Sequence, residues 1–156
     1  MFWNEKIDLI KKKYSNEDFS VPHVNRKEIL RKIESKFIKR NEDYYDLNNS
    51  KKRFTNWWDN LKSNKETLIE GELKSNLEQF INTNQKYWFV CEFSNQILVY
   101  KSKLSPIINL ISIGHSKTNT FHIIEPKYDF FLGLRIEKDK ITIRYVVDQK
   151  SFKYFS

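Results

Sequence analysis

Glu125 and Lys127 stand two residues apart at the end of the apolar run 121–124, with Pro126 between them. A strand-borne Glu-x-Lys is the arrangement of a metal-dependent nuclease. The carboxylate holds a divalent cation, and the ammonium stabilises charge near the attacking water, with a further acid upstream. Two features weaken that reading here. Proline cannot donate to a strand ladder, which makes a turn the more natural context. No Asp or Glu stands between Phe93 and Ile124, so Glu92 is left as a distant stand-in for the upstream acid. The expectation is a solvated hairpin connection at 125–127, with a nuclease using Glu125 and Lys127 as the minor alternative.

The other reactive side chains are scattered. His23, His115 and His122 are too far apart in sequence for a local metal motif. His115 follows Gly114 at a predicted helix end, where a cation is favourable against the helix dipole. His122 alternates with Phe121 and Ile123 on a predicted strand and could face either solvent or a groove. Cys91, between Val90 and Glu92, reads as a small core residue. A lone cysteine forms no internal disulfide, which suits a reducing compartment. No nucleophile elbow or His-Glu-x-x-His stretch occurs, and three glycines at 71, 114 and 133 are too dispersed to cradle a phosphate. The sequence therefore calls for no cofactor, no metal and no catalytic residues.

Binding chemistry is better represented. The 156 residues carry 28 Lys and Arg against 20 Asp and Glu, a net +8 that favours anionic partners. That excess is shared equally between residues 1–86 and 87–156, so no basic tail is set apart. Lys11, Lys12 and Lys13, and the set Arg26, Lys27, Arg31, Lys32, Lys36, Lys39 and Arg40, are candidates for phosphate contacts. Nucleic-acid binding by a basic helix over 26–40 is thus the alternative function, although Glu28 and Glu34 on the same helix also fit an ordinary charged solvent face. For a protein interface, the candidate anchors are Tyr44, Tyr45, Arg53, Trp57 and Trp58, because aromatics and arginine supply most interface energy. Packing of Trp57 and Trp58 into the core is the stronger of their two readings.

Two kinds of periodicity organise these residues. Trp3, Ile7, Ile10 and Tyr14 make one helical stripe, and Ile29, Leu30, Ile33 and Phe37 make a second over 26–40, with Asn25 as its N-cap. Phe54, Trp57, Trp58 and Leu61 predict a third helix, and "GELKSNLEQFIN" a fourth, with Leu73, Leu77, Phe80 and Ile81 inward. From residue 87 the pattern becomes that of strands. "YWFVCEF" and "ILVYK" form a hairpin across "SNQ". A short helix framed by Ser105, Pro106 and Gly114 follows. "TFHIIE", "YDFFLGLRI" and "KITIRYVV" are further strands, and "SFKYF" is a candidate edge strand.

The predicted fold is α+β and a single domain over 1–156, mainly helical in 1–86 and mainly β in 87–156. N-terminal helices cover one face of an antiparallel sheet of about five strands, with the short helix inserted between strands 2 and 3. The first residues, "MFWNEKIDLIKKK", lack the apolar run of a signal peptide, and no run approaches a membrane span, so a cytoplasmic location is expected.

The order of elements from "YWFVCEF" through "ILVYKS", "PIINLISIG" and "FHIIEPKYDFFLGL" to a closing strand resembles small uncharacterised bacterial proteins of the immunity kind, encoded beside toxins. The resemblance covers about half of the chain and rests on apolar spacing around Tyr128, Asp129, Phe130 and Phe131. It implies a protein without chemistry of its own that binds and blocks a cognate toxin. The +8 charge departs from inhibitors that cap basic nucleases and implies an acidic toxin surface instead.

Overall fold

A computed structural model describes residues 3–21, 26–39, 57–62, 65–93, 96–113, 120–137 and 140–147. In chain order the elements are α1 (Trp3–Lys13), β1 (Phe19–Ser20), α2 (Arg26–Phe37), a 3₁₀ turn (Trp58–Asn60), β2 (Lys65–Ile69), α3 (Leu73–Leu77), β3 (Tyr87–Phe93), β4 (Gln96–Ser102), α4 (Leu104–Ile113), β5 (Thr120–Ile124), β6 (Phe130–Glu137) and β7 (Lys140–Val147). The α+β class holds. The seven strands form one sheet in the order β1-β4-β3-β5-β6-β7-β2, and every neighbouring pair is antiparallel.

This corrects the expected five strands. The polar half of the chain supplies both edges, the two-residue β1 against β4 and the mostly exposed β2 against β7. Such strands bury too little to leave an apolar alternation, so their pairing is tertiary. The inserted helix accordingly lies between the fourth and fifth strands. β4 and β5 both pair with β3 and so run in the same direction, which requires a crossover rather than a hairpin. α4 makes that crossover, starting at Leu104, one residue before the expected Ser105 cap. Ahead of it, Lys103 N–H donates to the Asp18 carbonyl at 2.8 Å.

Both faces of the sheet are covered, not one. Phe89, Cys91, Phe121, Ile123 and Leu132 meet Trp3, Ile7 and Ile10 of α1 and Leu104, Ile107 and Leu110 of α4. Val90, Ile124, Phe131 and Val146 meet Ile29, Leu30, Ile33 and Phe37 of α2, together with Trp57 and Leu61. Two-sided burial explains why β5 and β6 are nearly continuous apolar runs instead of alternating ones.

The predicted third helix is absent among the described residues. Trp57 is helical in backbone, but the chain makes one 3₁₀ turn and Leu61 is extended, with φ −71° and ψ 136°. Leu61 instead pairs with Ile38, Lys39 N–H donates to the Asn60 carbonyl (2.7 Å), and Lys62 N–H donates to the Phe37 carbonyl (2.8 Å). Backbone groups that a longer helix would use internally are engaged with the end of α2. The fourth helix is also shorter than expected, closing after Leu77 in a turn that still directs Leu77 and Ile81 inward. Asn25, Gly114, His115 and "SFKYF" lie outside the described residues. No described helix is long and apolar enough to cross a membrane.

Trp58 sits on Gly133 of β6. Its ring is flanked by the guanidinium groups of Arg135 and Arg144 at 4.7 and 4.6 Å, and its carbonyl accepts from Arg144 Nη1 at 2.8 Å. A β-carbon at position 133 would lie 3.2 Å from the Trp58 ring, which is buried and has little room to shift. Gly133→Ala is therefore expected to destabilise the protein by about 1–3 kcal/mol, read as a lower urea midpoint at unchanged slope.

Candidate functional site

The link from β5 to β6 is built around Glu125. Its backbone N–H donates to the Phe130 carbonyl at 2.9 Å, and its carbonyl accepts from Tyr128 N–H at 2.8 Å, closing a turn with Pro126 at the position where a fixed φ suits it. The Glu125 carboxylate accepts from the Lys127 and Asp129 backbone N–H groups at 2.8 and 3.3 Å and from Gln85 Nε2 at 3.1 Å. The turn ends on Tyr128 at φ +61°, a left-handed conformation uncommon for a residue with a bulky side chain.

This turn separates two concavities. The larger is an open groove of about 900 Å³ between the outer face of α2 and the turn, lined by Arg31, Lys32, Lys36, Lys62, Lys127 and Tyr128, together with Glu28 and Glu34. The smaller, about 200 Å³, lies on the α3 side and takes in Glu125, Asp129, Gln85, Phe80, Tyr87 and Phe130. The two residues of the Glu-x-Lys pair thus line different cavities: the glutamate holds the backbone and the lysine belongs to the basic groove.

The groove is rich in positive charge for a physical reason. Of its two acids, Glu34 is 3% exposed and its Oε2 accepts from the Trp57 indole at 3.2 Å, so that carboxylate is turned inward. Glu28 is exposed and pairs with Lys32 at 3.7 Å. Lys62 Nζ donates to the Ser35 carbonyl at 3.0 Å, which fastens it along the helix. Lys32 Nζ lies 5.8 Å from the Tyr128 ring centroid. Burial raises the Tyr128 hydroxyl above its ordinary range, and the Glu28 charge adds to it.

Other reactive groups are interior. Cys91 is fully buried, and burial pushes its thiol up, away from the thiolate. His122, for which solvent and groove had both been open, is 3% exposed, with its ring 5.1 Å from that of Trp57 and 5.5 Å from that of Phe131. Its Nδ1 faces the Val90 carbonyl at 3.2 Å, where a proton on that nitrogen is donated to the oxygen. Among the described residues, no three His, Cys, Asp or Glu side chains gather as a metal site.

The candidate interface aromatics divide. Tyr44, Tyr45 and Arg53 lie outside the described residues. Trp57 and Trp58 are 2% and 4% exposed and hold the 57–62 segment against α2 and the sheet. The basic set of the second helix divides too. Arg31, Lys32 and Lys36 line the groove, Arg26 Nη1 donates to the Ile97 carbonyl at 2.9 Å, and Arg40 lies outside the described residues. Sequence reasoning did not join Lys62, Lys127 and Tyr128 to this set, and no local signal does so.

A protein-family model described as "Family of unknown function (DUF6756)" matches residues 5–153. No curated protein and no solved structure matches the chain.

Two measurements check these assignments. Glu125→Ala is expected to cost about 1–3 kcal/mol in urea unfolding, because three donors lose one acceptor, and Glu125→Gln less. Burial is the main cause that holds His122 down to about 4, against 6.5 for the free side chain; the Val90 carbonyl opposes the shift and the Arg135 charge adds to it. Between those values the unfolded chain binds the proton and the folded chain does not. His122 therefore contributes fully above pH 6.5, and its contribution is lost as pH falls toward 4, by about 3 kcal/mol in all. His122→Asn is expected to flatten that stretch of the curve of stability against pH.

Proposed function

We propose that this chain, which belongs to that family of unknown function, is a non-enzymatic protein-binding module of the immunity or accessory kind, whose partner is another protein such as a toxin that it blocks. One contrast carries this reading. Among the described residues, the candidates for chemistry are engaged in the fold, Glu125 in the turn and Cys91 and His122 inside the sheet, while an open charged groove faces outward. A groove with both signs of charge and a tyrosine in its lining is suited to holding a protein surface.

The second reading, nucleic-acid binding, draws on the five basic side chains in the groove lining. A polyanion-binding protein loses affinity steeply with salt, because each phosphate contact releases counterions. Mixed single- and double-stranded DNA and RNA, passed over immobilised protein at about 50 and about 200 mM salt with magnesium, separate the readings. The expected result is neither retention nor cleavage. Tight retention that collapses at the higher salt would replace the protein-binding reading with the nucleic-acid one. Cleavage lost in both Glu125→Ala and Lys127→Ala would make the protein a nuclease.

A further inference from the structure

We infer that the groove between α2 and the Glu125–Asp129 turn is the partner site, and that its occupant is an acidic protein segment anchored on Lys127 and Tyr128. The inference rests on the protein-binding reading and names the chemistry of the partner. Arg31, Lys32, Lys36, Lys62 and Lys127 come from three separate stretches of chain and converge on one groove, although the net charge of the sequence is spread evenly. With Glu34 turned inward, Glu28 is the acid left at the surface of that lining. Discrete carboxylates on a peptide can meet the basic groups and pass over Glu28, or set a cation of their own beside it. A phosphodiester chain carries charge at every residue and has no such freedom.

Tyr128 supplies the second line of argument. The turn needs a left-handed residue where the chain enters β6, and glycine or asparagine provides that without steric cost. A tyrosine there is held against its preference, with its ring packed on the α2-side core at the wall of the groove and Lys32 Nζ 5.8 Å from the ring centroid. Strain of this kind persists where the position of the side chain is used. Glu125 is the positioning residue. By accepting the Lys127 and Asp129 amides it fixes the backbone that presents Lys127 and Tyr128, so little ordering remains to be done on binding.

The test uses a fluorescein-labelled peptide of alternating Asp and Glu around a central Phe, with its Asn and Gln counterpart as control, read by anisotropy at low salt. The acidic peptide is expected to bind and the neutral one not. Lys36→Glu with Lys127→Glu should weaken binding at least tenfold. Lys11→Glu with Lys12→Glu, the same charge change on α1 across the sheet, should leave it within twofold. Tyr128→Asn keeps the turn and removes the ring, and should weaken binding about fivefold in protein whose amide spectrum shows it folded. On the wild-type protein, peptide-induced amide shifts should centre on Lys32, Lys36, Lys127 and Tyr128. No binding, shifts centred elsewhere, or equal losses in the α1 and groove variants would overturn the inference. If nucleic acid is also not retained, such a result leaves the protein-binding reading standing. A labelled single-stranded oligonucleotide that outcompetes the peptide at the groove would overturn both.

Discussion

The outer half of this molecule depends on the seating of Trp57. Its indole N–H reaches the buried Glu34 carboxylate of α2, while its ring meets the edges of His122 and Phe131 on the sheet. One side chain thereby fixes both the distance and the rotation of α2 relative to the strands. Glu34 is held buried by this bond, while Arg31, Lys32 and Lys36 of the same helix line the groove. A buried carboxylate needs hydrogen-bond donors, and the Trp57 indole is one of them. Trp58 completes the attachment one residue later, on the flat patch that Gly133 leaves between Arg135 and Arg144.

The register of the sheet makes these contacts possible. Val90, His122, Gly133, Arg144 and Glu66 are cross-strand partners in successive strands and form one row on the α2 face. The row runs from apolar through aromatic and small to charged, and the tryptophans lie over its middle. Arg144 ends the aromatic part by pairing with Glu66 at 2.7 Å, which also ties the exposed β2 to the sheet. On the other face α4 crosses β3 between strands of equal direction, and with α1 it covers the second half of the core. The connections therefore leave α2 as the helix whose charged face borders the turn after β5.

That turn shows how a short motif changes meaning with its surroundings. A glutamate and a lysine separated by proline resemble catalytic partners when written as letters. In the fold, the glutamate is a hydrogen-bond acceptor for its own loop and the lysine stands in a different cavity. The left-handed Tyr128 is the consequence of closing the loop with a residue chosen for its side chain rather than for its backbone.

Periodicity alone determined the class of the fold. It placed the two amphipathic helices, the hairpin at 87–102 and the last three strands, because each of these buries a stripe or an apolar run large enough to show, while the short helix after the hairpin was marked by Ser105, Pro106 and Gly114 at its ends. It also marked Cys91 as a core residue and 125–127 as a turn, since a proline without an N–H speaks against a ladder. Tertiary structure decided the rest. β1 and β2 bury too little to be seen, and the segment 57–62 becomes a 3₁₀ turn only because its backbone groups are taken by the end of α2. The groove is the clearest case: Arg31, Lys62 and Lys127 are brought together by packing, and charges that repel weakly through solvent leave no mark on one another in sequence. The contact between Trp57 and the buried Glu34 spans 23 residues and is likewise made by packing, with nothing local in the sequence to announce it.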